Sequence, residues 1–68
     1  MIQEKRKLMN LTQEQMSEKL GISLRHYVRI DNEKAFPRRD VLGKLIKELS
    51  LTDEEVGKYV KLLTEDIA

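Results

Sequence analysis

Between Gln13 and Asn32 the chain reads QEQMSEKLGISLRHYVRIDN, two short amphipathic helical patterns joined across Gly21-Ile22-Ser23. No other stretch leaves so few ways to fold. Ending one helix and starting the next within three residues calls for a left-handed backbone at the junction, which glycine adopts without steric cost. Ser23 then offers a hydroxyl suited to capping the second helix. Apolar residues fall at Met16, Leu20, Ile22, Tyr27 and Ile30. That spacing turns the two helices inward against each other and leaves one outer face free.

On the second helix the free face carries Leu24, Arg25, Val28, Arg29 and Asn32, with the two arginines one turn apart and pointing the same way. Such a face suits the major groove of DNA. An arginine can grip the guanine edge in a bidentate fashion, and exposed Leu24 and Val28 find a partner in thymine methyl groups rather than in water. The arginines could also hold phosphate or stay solvated, and Val28 could pack at the edge of the core. Gln13 opens the preceding helix, where its amide and the unpaired N–H groups of the first turn can take a phosphate together. Ser23 and Asn32, at the two ends of the second helix, join Gln13 as candidate phosphate contacts. His26 lies beside this face and reads as a solvated residue.

The grammar of helix starts recurs along the chain. Thr12 with Gln15 forms a capping box, and Leu11 with Met16 a hydrophobic staple; Thr52 with Glu55 and Leu51 with Val56 repeat both devices. A first helix is expected over Ile2–Met9, ending at Asn10-Leu11. Glu33 to Pro37 reads as a loop, with Phe36 plugging the core and Pro37 able to begin a fourth helix. That helix carries the stripe Val41, Leu42, Leu45, Ile46 and Leu49, and Gly43 is expected to let a neighbouring helix approach closely. A fifth helix presents Val56, Val60, Leu63 and Ile67 along one side with Tyr59 and Leu62 beside them, more apolar surface than a small monomer needs. Val56, Tyr59, Val60, Leu63 and Ile67 are therefore the expected interface of a homodimer. The whole is an all-α, compact five-helix bundle and a single domain over residues 1–68.

With 68 residues and no cysteine, the fold must rest on a helical core or on dimerisation. The lone His26 cannot build a zinc site, so no metal and no cofactor is expected. Neither a membrane span nor a signal peptide is legible, which points to a soluble, cytoplasmic protein associated with the nucleoid through DNA. Residues 1–39 carry nine Lys+Arg against five Asp+Glu and residues 40–68 carry four against seven, a basic half followed by an acidic one. That polarity would orient the chain on a polyanion. An enzyme is not expected. There is no phosphate loop and no partnered histidine, and Asp53, Glu54 and Glu55 are explained by the dipole of the helix they open.

At these residues the chain resembles the Cro and repressor family of phage helix-turn-helix regulators. The matches are Thr12-Gln13, Gly21 and Asp31-Asn32-Glu33-Lys34, and the resemblance spans roughly the whole chain. Ser17, Asp31 and Glu33 depart from the usual alanine, glutamate and glycine. The third matters most. A non-glycine residue at positive φ is strained, so the loop after the second motif helix is expected to differ from the family's. The resemblance implies a lambda-repressor-like fold, phosphate binding at Gln13, and a structural ion pair between Arg6 and Asp31. It also implies a transcriptional regulator, a repressor or Cro-like switch that binds an inverted-repeat operator in double-stranded DNA as a dimer, with Lys34, Arg38 and Arg39 in a loop beside the DNA and Arg38 reaching a phosphate or the minor groove. The sequence leaves room for an antitoxin-type or peptide-sensing interaction module working through the fifth helix, or for the DNA-binding head of a longer regulator.

Overall fold

Helix starts follow the capping grammar almost throughout. In the computed structural model, which describes residues 1–65, the helices are α1 (Ile2–Leu8), α2 (Gln13–Leu20), α3 (Leu24–Asp31), α4 (Arg39–Glu48) and α5 (Asp53–Glu65). Ahead of α2, Thr12 Oγ1 accepts from the Gln15 N–H at 3.0 Å while Gln15 Oε1 accepts from the Thr12 N–H at 2.8 Å. Thr52 and Glu55 repeat the reciprocal pair ahead of α5 at 3.1 and 3.0 Å. Ser23 Oγ accepts from the His26 N–H at 3.1 Å and so caps α3.

The start of α4 is different. It begins at Arg39 rather than Pro37, because Arg38 is extended (φ −63, ψ 161) and the Pro37 ring is fully buried. Phe36, expected as a core plug, is instead 43 % exposed and lies against the Tyr59 ring at a centroid distance of 6.4 Å.

All four connected helix ends close in one way. The N–H two or three residues past each helix's last residue reaches back to a carbonyl five positions earlier: Leu11 to Arg6, Ile22 to Ser17, Lys34 to Arg29 and Leu51 to Ile46, at 2.8 to 3.2 Å. An inner bond accompanies each, from Asn10 to Lys7, Gly21 to Glu18, Glu33 to Ile30 and Ser50 to Lys47. The inner donor is the left-handed residue of a Schellman closure. Its φ is 57° at Asn10, 70° at Gly21, 59° at Glu33 and 51° at Ser50. Glu33 thus takes the left-handed conformation itself rather than forcing a different turn. In α1 this closure ends the helix at Leu8, one residue before the expected Met9.

The core is built from Ile2 of α1, Met16 and Leu20 of α2, Tyr27 and Ile30 of α3, Val41, Leu45 and Leu49 of α4, Leu51, and Tyr59 and Leu63 of α5. Two residues expected at a dimer interface therefore lie inside the monomer. Tyr59 is 0 % and Leu63 6 % exposed, and Val56 packs partly buried against the same core. A broad apolar stripe does not declare from sequence which of its edges is buried, and here the fold uses the Tyr59 side. Val60 is half-buried, Leu62 is 40 % exposed, and Ile67 lies outside the described residues. The Tyr59 hydroxyl has no hydrogen-bond partner among the described residues, and burial first, then the negative charge of Glu33, push its pKa up to about 12.

Gly43 was expected to admit a close neighbour, yet nothing lies within 4 Å of where its Cβ would be, and the same holds at Gly57. In urea denaturation, Gly43→Ala should therefore raise stability by about 0.5–1 kcal/mol, since the helix interior prefers alanine and the space is open. Ser50→Gly should raise it similarly by relieving a left-handed serine, and Gly21→Ala should lower it by about 1 kcal/mol for the converse reason.

Candidate nucleic-acid interface

The outer face of α3 is held in place from its far end. Asp31, the last residue of α3, is 2 % exposed. Its Oδ1 accepts from Arg6 Nε at 3.0 Å and from the Tyr27 hydroxyl at 2.8 Å. Its Oδ2 accepts from Arg6 Nη2 at 3.2 Å and from Gln13 Nε2 at 3.0 Å. Arg6 Nη1 also donates to the Leu11 carbonyl at 2.8 Å. One carboxylate thus ties α1, the α1–α2 connection, the first turn of α2 and α3 to each other. Burial alone would raise the Asp31 pKa, but hydrogen bonds from Arg6, Gln13 and Tyr27 together outweigh it and hold the group below its ordinary value. The hydrogen bond to Asp31 raises the Arg6 pKa, while burial and then the bond to Asp31 raise that of Tyr27.

The arrangement refines the place of Gln13. Its amide nitrogen is engaged with Asp31 rather than turned wholly outward, leaving one amide hydrogen and the backbone of the first turn toward solvent. Thr12, Gln13 and Glu14 meet Leu24 around an open hollow of about 280 Å³, where the first turns of α2 and α3 come together. Nothing in the sequence singled out the Gln13–Asp31 bond. The Tyr27–Asp31 bond could have been found from the i, i+4 spacing of two residues on one helix face.

On the opposite face of α3, Leu24 is 40 % exposed, Arg25, Arg29 and Asn32 are exposed, and Val28 is half-buried. Asn32 Oδ1 accepts from Gln3 Nε2 at 2.6 Å, fixing the exit of the helix against α1. Ser23 is exposed with its oxygen engaged in the cap, and His26 is half-buried. Lys34, Arg38 and Arg39 are exposed around the loop that follows. Among the described residues none of Arg25, Arg29, Lys34, Arg38 and Arg39 joins an ion pair, whereas Arg6 pairs with Asp31, Lys5 with Glu55, and Lys19 with Glu48 at 3.8 Å. The Met1 amino group lies 3.0 Å from Glu33 Oε1.

Two capped helices across a left-handed glycine, the second anchored at its end and bare on its outer side, form the frame of a helix-turn-helix unit. A helix-turn-helix family model matches residues 2–56. The chain belongs to the Cro/C1-type helix-turn-helix family. This family is one of DNA-binding domains of transcription regulators and not of enzymes. No curated protein and no solved structure matches the chain significantly. Among the described residues no helix is long and apolar enough to cross a membrane, and no cluster of His, Cys, Asp and Glu could hold a metal ion.

Arg6→Ala should destabilise the domain by about 3–5 kcal/mol, because it strands a buried carboxylate, and Arg6→Met combined with Asp31→Leu should recover part of that loss. Both are read from urea midpoints. The pH dependence follows from the lowered Asp31 pKa: its stabilisation is present above the unfolded value of about 3.9 and is lost as pH falls through the folded value. Glu55, held low by Lys5 and the Thr52 backbone, contributes in the same window. The stability gap between the wild type and Asp31→Asn should accordingly narrow below about pH 4, isolating the Asp31 share.

Proposed function

We propose that this domain is a sequence-specific transcription regulator, a repressor or Cro-like switch, that binds an inverted-repeat operator as a homodimer in the cytoplasm. The observation that carries the reading is the division of α3 into two faces. One side is locked by Tyr27 and Asp31, and the other presents Arg25 and Arg29 exposed and free of ion pairs among the described residues. Arg25, Arg29 and Leu24 read bases, with half-buried Val28 at the margin of that surface.

The phosphate contacts come from the first turn of α2 at Gln13, from Ser23 and Asn32 at the ends of α3, and from Lys34 and Arg38 after it. Each of these side chains except Gln13 is exposed, and Gln13 borders the hollow beside Leu24. One helix of this length reads too few base pairs to be selective, which is the argument for a dimer with half-sites about 34–36 Å apart. With Tyr59 and Leu63 in the core, the α5 surface remaining for a second copy is Val56, Val60 and exposed Leu62, beside the exposed edge of Phe36.

Selection from random duplex DNA tests the reading directly and should return an inverted repeat. On that site Arg25→Ala and Arg29→Ala should each cost about 1–3 kcal/mol and relax the base preference, while Lys34→Ala should weaken all sequences alike. A base preference that moves with Lys34 and not with either arginine would reverse these assignments.

A further inference from the structure

A second hollow lies away from the outer face of α3. It runs along the outer side of α4 as an open groove of about 750 Å³ lined by Arg38, Arg39, Asp40, Gly43, Lys44 and Lys47. Four of these six are cations, and among the described residues none of the four joins an ion pair. Asp40 is the one carboxylate on this lining, so the groove keeps a clear excess of positive charge. The floor is Gly43, a mid-helix glycine that costs stability yet leaves its surroundings open to 4 Å. A side chain there would fill the groove.

The groove adjoins the helix-turn-helix unit at both ends. Arg38 continues the loop that leaves α3, and Lys44 Nζ lies 3.9 Å from where a Cβ on Gly21 would stand, beside the turn that enters α3. From Arg39 to Lys47 the helix advances about 12 Å, the axial length of three or four successive phosphates on one DNA strand. We infer that this groove seats the sugar–phosphate backbone of duplex DNA flanking the half-site, with Lys44 and Lys47 holding phosphates and the bare Gly43 letting the strand lie close. The inference rests on the DNA-binding reading above and extends the footprint beyond the bases that α3 reads. Phosphate contacts of this kind add affinity and salt dependence without adding base preference.

The test uses the full chain and the selected inverted repeat, prepared once with flanking duplex on both sides and once trimmed to the repeat. Binding is measured over a salt series for the wild type, the double variant Lys44→Gln/Lys47→Gln, and Gly43→Glu, which adds a side chain into open space and so preserves the fold. On the flanked duplex the double variant should flatten the slope of log K against log salt by about 1.8 per protomer, corresponding to two lost phosphate contacts. Gly43→Glu should flatten it as well. On the trimmed duplex the variants should approach the wild type, with the base preference unchanged throughout. An unaltered slope on the flanked duplex would overturn the inference, as would a changed base preference. So would intact slopes accompanied by altered self-association, which would assign the groove to an acidic surface of a second copy. A wild type that binds no selected duplex would instead overturn the DNA-binding reading, and this inference with it.

Discussion

Most of the hydrogen bonds that tie α3 to its neighbours converge on the Asp31 carboxylate. An eight-residue helix is not stable alone in water, so its position must be imposed by what it touches. Four donors from three side chains on three helices meet on two oxygens, and the third nitrogen of the Arg6 guanidinium secures the α1–α2 loop at Leu11. Burial of charge opposes the ionised form of this group while the hydrogen bonds favour it, as the opposing influences on its pKa record. What the cluster contributes is placement more than net stability. Without it the end of α3 could swing relative to α1 and α2, and a protein that reads an edge of the double helix needs that angle fixed.

The helix starts were legible because side-chain capping is written in residue types. Thr12, Ser23 and Thr52 all do what their neighbours imply. The ends were harder, because the same closure is made by asparagine, glycine, glutamate and serine, and only the glycine signals it. Asn10 reads as a polar stop, but Ser50 carries no such mark. Phe36 and Pro37 exchange the burial expected of them, the proline ring inside and the phenyl ring at the surface against Tyr59, because residue type alone does not say which of two adjacent apolar rings turns inward.

The fifth helix shows a different limit. Periodicity identifies an apolar stripe but not its partner, and a domain this small has few large side chains with which to close its core. Tyr59 is drawn inward even though its hydroxyl finds no partner among the described residues, so shape outweighed polarity at that position. In the candidate site the exposed arginines were legible from spacing alone. The inward bond of Gln13 was not, because an amide at the first turn of a helix can face either way and only the buried acceptor eighteen residues on decides.

Tyr27 and Asp31 are one turn apart, as are Arg25 and Arg29, and the two pairs are offset by two positions. On a helix with 3.6 residues per turn that offset places them on nearly opposite sides. The residues that hold the helix and the residues that face outward therefore vary independently. A lineage could exchange Arg25 or Arg29 and acquire a new genomic address while its scaffold, its melting behaviour and its folding route stayed as they were. Several copies could then diverge within one cell, each deaf to the others' sites, from changes confined to a few outward side chains.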